Sequence, residues 1–187
     1  MIELKNKSPN LLVVGDLMID QYFWGKSERI SPEAPVQVIN VSNESMVLGG
    51  AGNVINNLKV LGSNVDVISV IGNDENAIKL KDLLISINVD TKYLITEDNR
   101  ITSKKSRVIA SQQQVVRYDC ESTDEISKPS QKLVLETFKK IINNYDIVLI
   151  SDYGKGILST KLTQSIINVA SQNNKKVLID PKGLDYS

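Results

Sequence analysis

The stretch Gly49-Gly50-Ala51-Gly52-Asn53 places three glycines in four positions between an apolar pair, Val47-Leu48, and a segment with helical spacing of apolar residues. This pattern predicts a tight turn that leads directly into a helix, and the helix is predicted to end at Gly62. Glycines let a ligand approach backbone N–H groups closely, and a helix N-terminus adds partial positive charge. The turn therefore either seats a polar ligand or serves only to connect a strand to a helix.

Two familiar phosphate-binding loops do not fit this stretch. The dinucleotide-binding fingerprint requires a third glycine after Gly50 and Gly52, and that position is Ile55. A P-loop is excluded because no Gly-Lys-Ser or Gly-Lys-Thr follows. A generic nucleotide-binding α/β domain is therefore the least favoured interpretation.

The composition is that of an ordinary globular domain. The chain has 187 residues, 41% of them hydrophobic, which is enough for one substantial core. Lys and Arg number 22, as do Asp and Glu, so no overall field favours nucleic acid or an acidic membrane as a partner. Without histidine, the usual zinc sites and Ser-His or Cys-His catalytic pairs cannot form, and the single Cys120 excludes an internal disulfide.

The first residues, Met1-Ile2-Glu3-Leu4-Lys5, lack the apolar core of a signal peptide. No apolar run approaches the length of a membrane span. The sequence therefore predicts a protein of the reducing cytoplasm with no membrane contact.

Apolar runs alternate with amphipathic segments along most of the chain. Buried strands are predicted at residues 11–14, 65–71, 147–150 and 177–179. Helices are predicted after Asn53, after a cap near Asp74, over residues 130–142 and over residues 159–170. This alternation predicts an α/β fold with a mainly parallel, helix-covered sheet.

Two excursions interrupt the alternation, at about residues 21–47 and 91–121. The first contains an aromatic cluster and a proline-rich loop. The second is predicted as a meander of two or three antiparallel strands, with candidates at residues 93–96, 101–110 and 115–119. Together they predict a small antiparallel β lid inserted in the core, in a single domain spanning residues 1–187.

The carboxylates Asp16 and Asp20 directly follow the first predicted strand. Ligands of open α/β sheets bind outside the carboxyl ends of the strands, so these two acids are placed to hold substrate hydroxyls. Turn and cap chemistry is the alternative explanation. The basic residues of the second excursion are either ligands for an anion or solvated charges on a strand face.

Three motifs together resemble the ribokinase-like (PfkB-type) sugar kinase family. They are Val14-Gly15-Asp16-Leu17-Met18-Ile19-Asp20, the glycine stretch, and Ser151-Asp152-Tyr153-Gly154-Lys155-Gly156. The resemblance implies a ribokinase-like α/β kinase core, a β lid that also forms a homodimer contact, and transfer of the ATP γ-phosphate to a sugar hydroxyl. ATP and Mg²⁺ are the cofactors it implies for a complete enzyme.

Three further segments are similar to kinases that phosphorylate D-glycero-β-D-manno-heptose 7-phosphate at its anomeric carbon, in the synthesis of ADP-heptose for lipopolysaccharide. These segments are Arg29-Ile30-Ser31-Pro32-Glu33-Ala34-Pro35-Val36, Gln113-Gln114-Val115-Val116-Arg117-Tyr118-Asp119 and Asp180-Pro181-Lys182-Gly183. This narrower resemblance implies a sugar phosphate as substrate. Ser111 departs from the pattern, because a basic residue is expected there.

The resemblance also implies roles for individual residues. The substrate-binding set comprises Asp16, Asp20, Gly49, Gly50, Asn53, Lys105, Arg107, Gln113, Arg117 and Asp152. Within it, the two aspartates accept hydrogen bonds from sugar hydroxyls, and the basic residues are candidates for the substrate's phosphate. Lys155 and Lys182 are expected near nucleotide or phosphate, and no metal ligand is assigned.

Kinases of this family carry a late Gly-Ala-Gly-Asp segment whose aspartate activates the attacking hydroxyl, and these 187 residues do not contain it. The catalytic aspartate and the ATP-binding segments are therefore expected beyond Ser187. We expect this chain to be the sugar-binding portion of an incomplete kinase domain, inactive alone. Two alternatives are another ribokinase-like kinase, acting on a hexose phosphate or nucleoside, and a non-catalytic sugar-phosphate-binding module.

Overall fold

The computed structural model describes residues 8–182, and its elements alternate between the predicted core and the predicted excursions. In chain order they are β1 (Asn10–Gly15), β2 (Leu17–Ile30), β3 (Gln37–Gly50), α1 (Ala51–Val60), β4 (Asn64–Ile71), α2 (Glu75–Ser86), β5 (Leu94–Thr96), β6 (Lys104–Ala110), β7 (Gln113–Cys120), α3 (Lys128–Ile141), β8 (Ile147–Ser151), α4 (Thr160–Gln172) and β9 (Lys176–Asp180). Expectations for Met1-Ile2-Glu3-Leu4-Lys5 and for Gly183 fall outside the described residues. Within those residues, none of the helices combines the length and apolar character needed to cross a membrane.

Five strands form the central sheet, in the order β5-β4-β1-β8-β9. Every pair of neighbours in it is parallel, with Val13 of β1 opposite Val67 on one side and Leu149 on the other. Parallel neighbours require crossover connections, and helices supply four of them. The predicted α/β class with a mainly parallel sheet is confirmed.

The three inner strands of the central sheet, β4, β1 and β8, are largely buried on both faces, which explains why they are continuous apolar runs. The edge strand β9 is more exposed, with Leu178 at 55% and Ile179 at 46%. Leu12 and Val14 of β1 pack in one core cluster with Val134 and Phe138 of α3. Val13, which points to the opposite face, packs in a second cluster with residues of α1 and α2. Because all five strands are parallel, their carboxyl ends lie along the same edge of the sheet.

Side-chain caps begin three of the four helices. Asp74, Ser127 and Ser159 each accept a hydrogen bond from a backbone N–H in the first turn of the helix that follows. Each such cap typically contributes about 1 kcal/mol to stability. The cap predicted near Asp74 is confirmed, and of the two cap candidates for the last helix, Ser159 and Thr160, the cap is Ser159.

The smaller sheet, which we call the lid, has the strand order β3-β2-β6-β7. It consists of two antiparallel hairpins, β2–β3 and β6–β7, as the sequence predicts. Their inner strands, β2 and β6, pair in parallel, so the lid is a mixed sheet in which the two excursions meet.

Two details of the predicted lid are wrong. Residues 93–96 do not open a meander, because β5 pairs in parallel with β4, with Leu94 opposite Ser69 at the edge of the central sheet. A strand of three residues is too short to show which sheet it joins. The first hairpin also begins earlier than residue 21, since β2 starts at Leu17, and Asp20 therefore lies inside a strand.

Candidate functional site

Asp16 occupies the junction between the core and the lid. It follows β1 and is fully buried, at 0% exposure. Its carboxylate Oδ2 accepts hydrogen bonds from the backbone N–H groups of Tyr153 (2.8 Å) and Lys155 (3.1 Å). Burial raises the pKa of Asp16, and these two hydrogen bonds oppose the rise. Asp16 therefore organises the loop after β8, and its predicted contact with substrate stays a prediction.

The glycine stretch forms the predicted turn into a helix. The first helical N–H, that of Ala51, donates to the backbone carbonyl of Asp16 at 3.0 Å. Gly50, which precedes it, has a φ of 55°, and a Cβ at this position would lie 2.7 Å from the same carbonyl oxygen. Only glycine fits this position without strain. The turn thus ties the start of α1 to the end of β1.

Asp20 and Arg107 form an ion pair on the lid strands β2 and β6. Oδ1 of Asp20 lies 2.6 Å from Nη1 of Arg107. The guanidinium carbon of Arg107 lies 5.3 Å from the ring centroid of Tyr22, a cation–π distance. Gly49 leaves room for this arrangement, because a Cβ there would clash with the Asp20 carboxylate. The structure therefore brings together Asp20, Gly49 and Arg107 as the sequence predicts.

A row of alternating charges runs from the lid into the core, and we call it the charge row. Its ion pairs are Arg117–Asp119 (2.6 Å), Asp119–Lys105 (2.9 Å), Lys105–Glu121 (3.2 Å) and Glu121–Lys155 (2.7 Å). Three cations and two carboxylates leave the row with one net positive charge. The row gives the junction an electrostatic bias toward an anionic ligand.

We predict that the charge row makes stability sensitive to acid. Hydrogen bonds from Arg117, and then from Lys105, hold the pKa of Asp119 well below its usual value of 3.8. The unfolded chain therefore takes up a proton at Asp119 at a higher pH than the folded chain does. The stabilisation is present above the usual pKa and is lost as the pH falls below it.

Thermal denaturation of the parent chain and of the Asp119→Asn variant checks this prediction. Between about pH 6 and pH 3, the Tm of the parent should fall more steeply than that of the variant, because the variant lacks the linked proton. Parallel curves for the two chains would show that Asp119 contributes nothing to the acid sensitivity.

One predicted residue lies apart from the junction, and another stands at the start of α1. Gln113, at the start of β7, pairs with Ala110 of β6. Ala110 is five residues from Lys105 on the same strand, which is a distance of about 17 Å. Asn53 is exposed on the first turn of α1 and lines a cavity of about 340 Å³ together with Val47 and Leu83. The described chain does not place Gln113 with the other candidates.

The loop after β8 brings Asp152 and Lys182 together. Asp152 accepts a hydrogen bond from the N–H of Gly154 at 2.7 Å through Oδ1. The side chain of Lys182, which follows β9, passes over Gly154, since a Cβ there would lie 2.9 Å from Lys182 Cδ. Both residues therefore lie at the carboxyl ends of neighbouring parallel strands, next to the charge row.

Three residues of the junction were not predicted from the sequence: Arg100, Asp119 and Glu121. Arg117, Asp119 and Glu121 alternate along β7 and its extension, and the two-residue period of a strand places their side chains on one face. This alternation in the sequence is enough to predict that Asp119 and Glu121 lie beside Arg117. Arg100 lies in a polar turn, and nothing in its local pattern indicates that it is buried.

Comparison with known proteins decides the family of this chain. Residues 8–186 match the family described as pfkB family carbohydrate kinase. The chain belongs to this family. The predicted resemblance to PfkB-type sugar kinases is therefore confirmed.

Among curated proteins, the chain is similar to those called bifunctional protein HldE. It is 63% identical over 182 residues to the protein of Aliarcobacter butzleri, covering 97% of this chain and 38% of that protein. It is 55% identical over 184 residues to the protein of Sulfurimonas denitrificans, covering 98% of this chain and 39% of that protein. The chain thus spans about two fifths of the length of the relatives it matches.

Solved structures of family members share the fold. Ribokinase of Arabidopsis thaliana, solved with ribose and ATP, superposes with a TM-score of 0.64 at 15% identity, covering 95% of this chain and 55% of that one. A carbohydrate kinase from Agrobacterium tumefaciens gives a TM-score of 0.69 at 19% identity, covering 91% of this chain and 53% of that one. The ribokinase-like fold is therefore confirmed.

The family implies a divalent metal bound with the nucleotide, and the residues at the junction do not fit that role. Over residues 8–182, no group of three or more His, Cys, Asp or Glu side chains is arranged to hold a metal ion. Asp20 and Glu121 pair with cations and Asp16 accepts backbone N–H groups through Oδ2, which leaves Oδ1 of Asp16 as a single buried oxygen without a described partner.

Proposed function

We propose that this chain binds the sugar substrate of an ATP-dependent kinase that phosphorylates D-glycero-β-D-manno-heptose 7-phosphate at C1. The product is the 1,7-bisphosphate, a precursor of ADP-heptose for lipopolysaccharide. One observation carries the proposal: the ion pair between Asp20 and Arg107 stands beside the glycine turn and next to a charge row with a net positive charge. A carboxylate for hydroxyls thus adjoins cations for a phosphate.

Asp20 is the residue we assign to the sugar hydroxyls. A carboxylate offers several acceptor sites, and the Arg107 contact uses one oxygen of Asp20. Because Gly49 carries no side chain, the Asp20 carboxylate can lie directly against the backbone of the glycine turn, where we place the sugar hydroxyls. Gly50 fixes the turn, and the exposed amide of Asn53 supplies a further polar contact at the start of α1.

Arg107 is the residue we assign first to the substrate's phosphate. Among the described residues, its side chain makes one hydrogen bond, through Nη1 to Asp20, so its other N–H groups remain for a ligand. Lys105 and Arg117 are already bonded to carboxylates and must exchange those partners before they can bind a phosphate. Gln113 contributes only if the lid tip approaches the site.

The complete reaction requires ATP and Mg²⁺. We assign Asp152, Lys155 and Lys182 to the part of the site where the sugar meets the nucleotide. When bound, ATP supplies the transferred phosphoryl group. The residues of this chain bind and orient the sugar, and Lys155 and Lys182 place positive charge near the acceptor hydroxyl. The base that takes the hydroxyl proton is the aspartate of the Gly-Ala-Gly-Asp segment, which is not among these 187 residues.

We predict that the 187-residue chain alone turns over no ATP. Phosphoryl transfer depends on charges positioned around both the phosphate and the nucleophile, and half of such a site loses most of the rate. A coupled ATP-consumption assay with heptose 7-phosphate should give the rate of the buffer control. Sustained turnover by these 187 residues would overturn the prediction.

We place the protein in the cytoplasm as a homodimer formed through the lid. Two large side chains that share one face of β7 are exposed, Val116 at 48% and Tyr118 at 44%. A second lid would remove this apolar surface from water. The balanced charge of the chain supports neither nucleic acid nor a membrane as a partner.

A thermal-shift panel tests the substrate class. Heptose 7-phosphate should raise the Tm more than fructose 6-phosphate or adenosine at equal concentration, because ligand that binds only the folded chain stabilises it according to its affinity. A larger shift with fructose 6-phosphate or adenosine would favour another ribokinase-like kinase. Binding of heptose 7-phosphate without turnover in any longer form of the protein would favour a non-catalytic binding module.

A further inference from the structure

Arg100 is a buried cation whose hydrogen bonds all go to main-chain carbonyls. It is 7% exposed and lies in the loop between β5 and β6. Its guanidinium donates to the carbonyls of Lys155, Asp124 (3.3 Å) and Ser122 (3.4 Å). Glu97, Asp16 and Asp124 lie near enough to act on its charge, but among the described residues none of them hydrogen bonds to the guanidinium through its carboxylate. A buried guanidinium bonded only to carbonyls is costly to desolvate, so such a residue is a candidate for a role beyond stability.

The peptide groups of Lys155 are held from both sides. Its N–H donates to the buried carboxylate of Asp16 at 3.1 Å, and its carbonyl accepts from Arg100. The next residue, Gly156, has a φ of 80° and packs so closely on the carbonyl of Asp124 that a Cβ would clash. The main chain of Lys155 is therefore held by the Asp16 carboxylate at its N–H and by the Arg100 guanidinium at its carbonyl.

This fixed main chain determines where the Lys155 side chain goes. The ammonium group of Lys155 lies 2.7 Å from Glu121, which follows β7 and also pairs with Lys105 at 3.2 Å. Lys155 is itself 7% exposed, so this contact is shielded from solvent. Through it, the loop after β8 in the core is connected to both strands of the second lid hairpin.

We propose that Arg100 is a positioning residue for the sugar-phosphate site: by fixing the main chain of Lys155, it aims the Lys155 ammonium at Glu121 and couples the lid to the core. This inference rests on the proposed function for its effect on substrate. Loosening Lys155 frees Glu121 to compete for Lys105, and the charge row then loses the geometry that faces a phosphate. Arginine suits the task because its planar guanidinium reaches three carbonyls at once, whereas a lysine ammonium at the same position reaches fewer.

A double-mutant cycle separates this role from simple stabilisation. The variants are Arg100→Met, Lys155→Met and the double variant, with Lys92→Met as a matched control that removes an ion-paired cation from the loop before β5. The first measurement is amide hydrogen exchange of the β7 strand, Gln113–Cys120, in the absence of ligand. Arg100 makes none of its described hydrogen bonds to this strand, so exchange there reports the coupling.

If the proposal is correct, Arg100→Met speeds exchange in β7 about 10-fold, Lys155→Met does the same, and the double variant adds nothing. The control leaves β7 unchanged. An Arg100→Met effect that persists in full without Lys155 would show that Arg100 does not act through it. Arg100→Lys, which keeps the charge, should give an intermediate effect in the same cycle. If the Arg100→Met variant does not fold, Arg100→Lys takes its place in the cycle.

The second measurement is the Kd for heptose 7-phosphate across the same cycle. Arg100→Met should weaken binding about 10-fold in the parent and not at all in the Lys155→Met background. Equal weakening in both backgrounds would contradict the proposal. If the parent itself binds no sugar phosphate, the proposed function fails, while the exchange cycle still confirms or refutes the coupling of lid and core.

Discussion

Asparagine in place of Asp20 is expected to weaken the binding of heptose 7-phosphate about 100-fold while leaving the chain folded. Asp20 is the carboxylate that we assign to the sugar hydroxyls, and it also holds Arg107 at 2.6 Å. Hydrogen bonds to a charged group contribute about 1.5 to 3 kcal/mol each, roughly twice as much as neutral ones. Losing the charge removes about half of each bond, so two bonds at the upper end of that range lose about 3 kcal/mol of binding free energy, which corresponds to the 100-fold change.

Glu44→Gln is the matched control for this variant, since it also neutralises one carboxylate of the lid. Glu44 pairs opposite Phe23 and hydrogen bonds to Gln21, so it lies on the face of the lid opposite to Asp20. Its Kd for heptose 7-phosphate should match that of the parent within twofold. Equal affinities for the Asp20→Asn variant and the parent would remove Asp20 from the site.

The second large effect is on stability. Replacing Asp16 by alanine should lower the free energy of unfolding by about 3 to 5 kcal/mol. The buried N–H of Lys155 and the half-buried N–H of Tyr153 lose their acceptor, and the buried Arg100 loses a nearby anion. That decrease is a large fraction of the about 5 to 15 kcal/mol that stabilises a typical domain. Urea denaturation of the parent and the variant measures the difference.

Asp152→Ala provides the comparison for the Asp16 variant. Asp152 stands at the same edge of the sheet but bonds one solvent-accessible N–H, that of Gly154. Its removal should lower the free energy of unfolding by about 1 kcal/mol or less, since water can replace the lost acceptor. Similar losses in the two variants would mean that the contacts of Asp16 are not what stabilises the loop after β8.

The central sheet was predictable because its signals are local. Four apolar runs mark its longer strands, and the glycine stretch marks the junction of β3 and α1, where Gly50 requires a positive φ. Cap residues at Asp74 and Ser159 mark two helix starts. The strand β5 was assigned to the lid because Leu94–Thr96 is too short to show a period, and only its pairing with β4 reveals its sheet.

The site was less predictable because its contacts join distant parts of the chain. Asp16 is predicted from its position after the first strand, but the hydrogen bond that its Oδ2 accepts from Lys155, 139 positions away, has no signal in the local sequence. The basic residues of the second hairpin were expected to be free for a phosphate. Their carboxylate partners follow from the alternation of Arg117, Asp119 and Glu121 on β7, but the bond from Glu121 to Lys155 follows from tertiary packing alone.

Isothermal titration of the 187-residue chain with D-glycero-β-D-manno-heptose 7-phosphate tests the central claim most directly. If these residues form the sugar-binding part of the kinase, the titration gives saturable binding of one ligand per chain, and ATP titrated alone gives none. The absence of heptose 7-phosphate binding up to millimolar concentration, or saturable binding of ATP alone, would contradict the account.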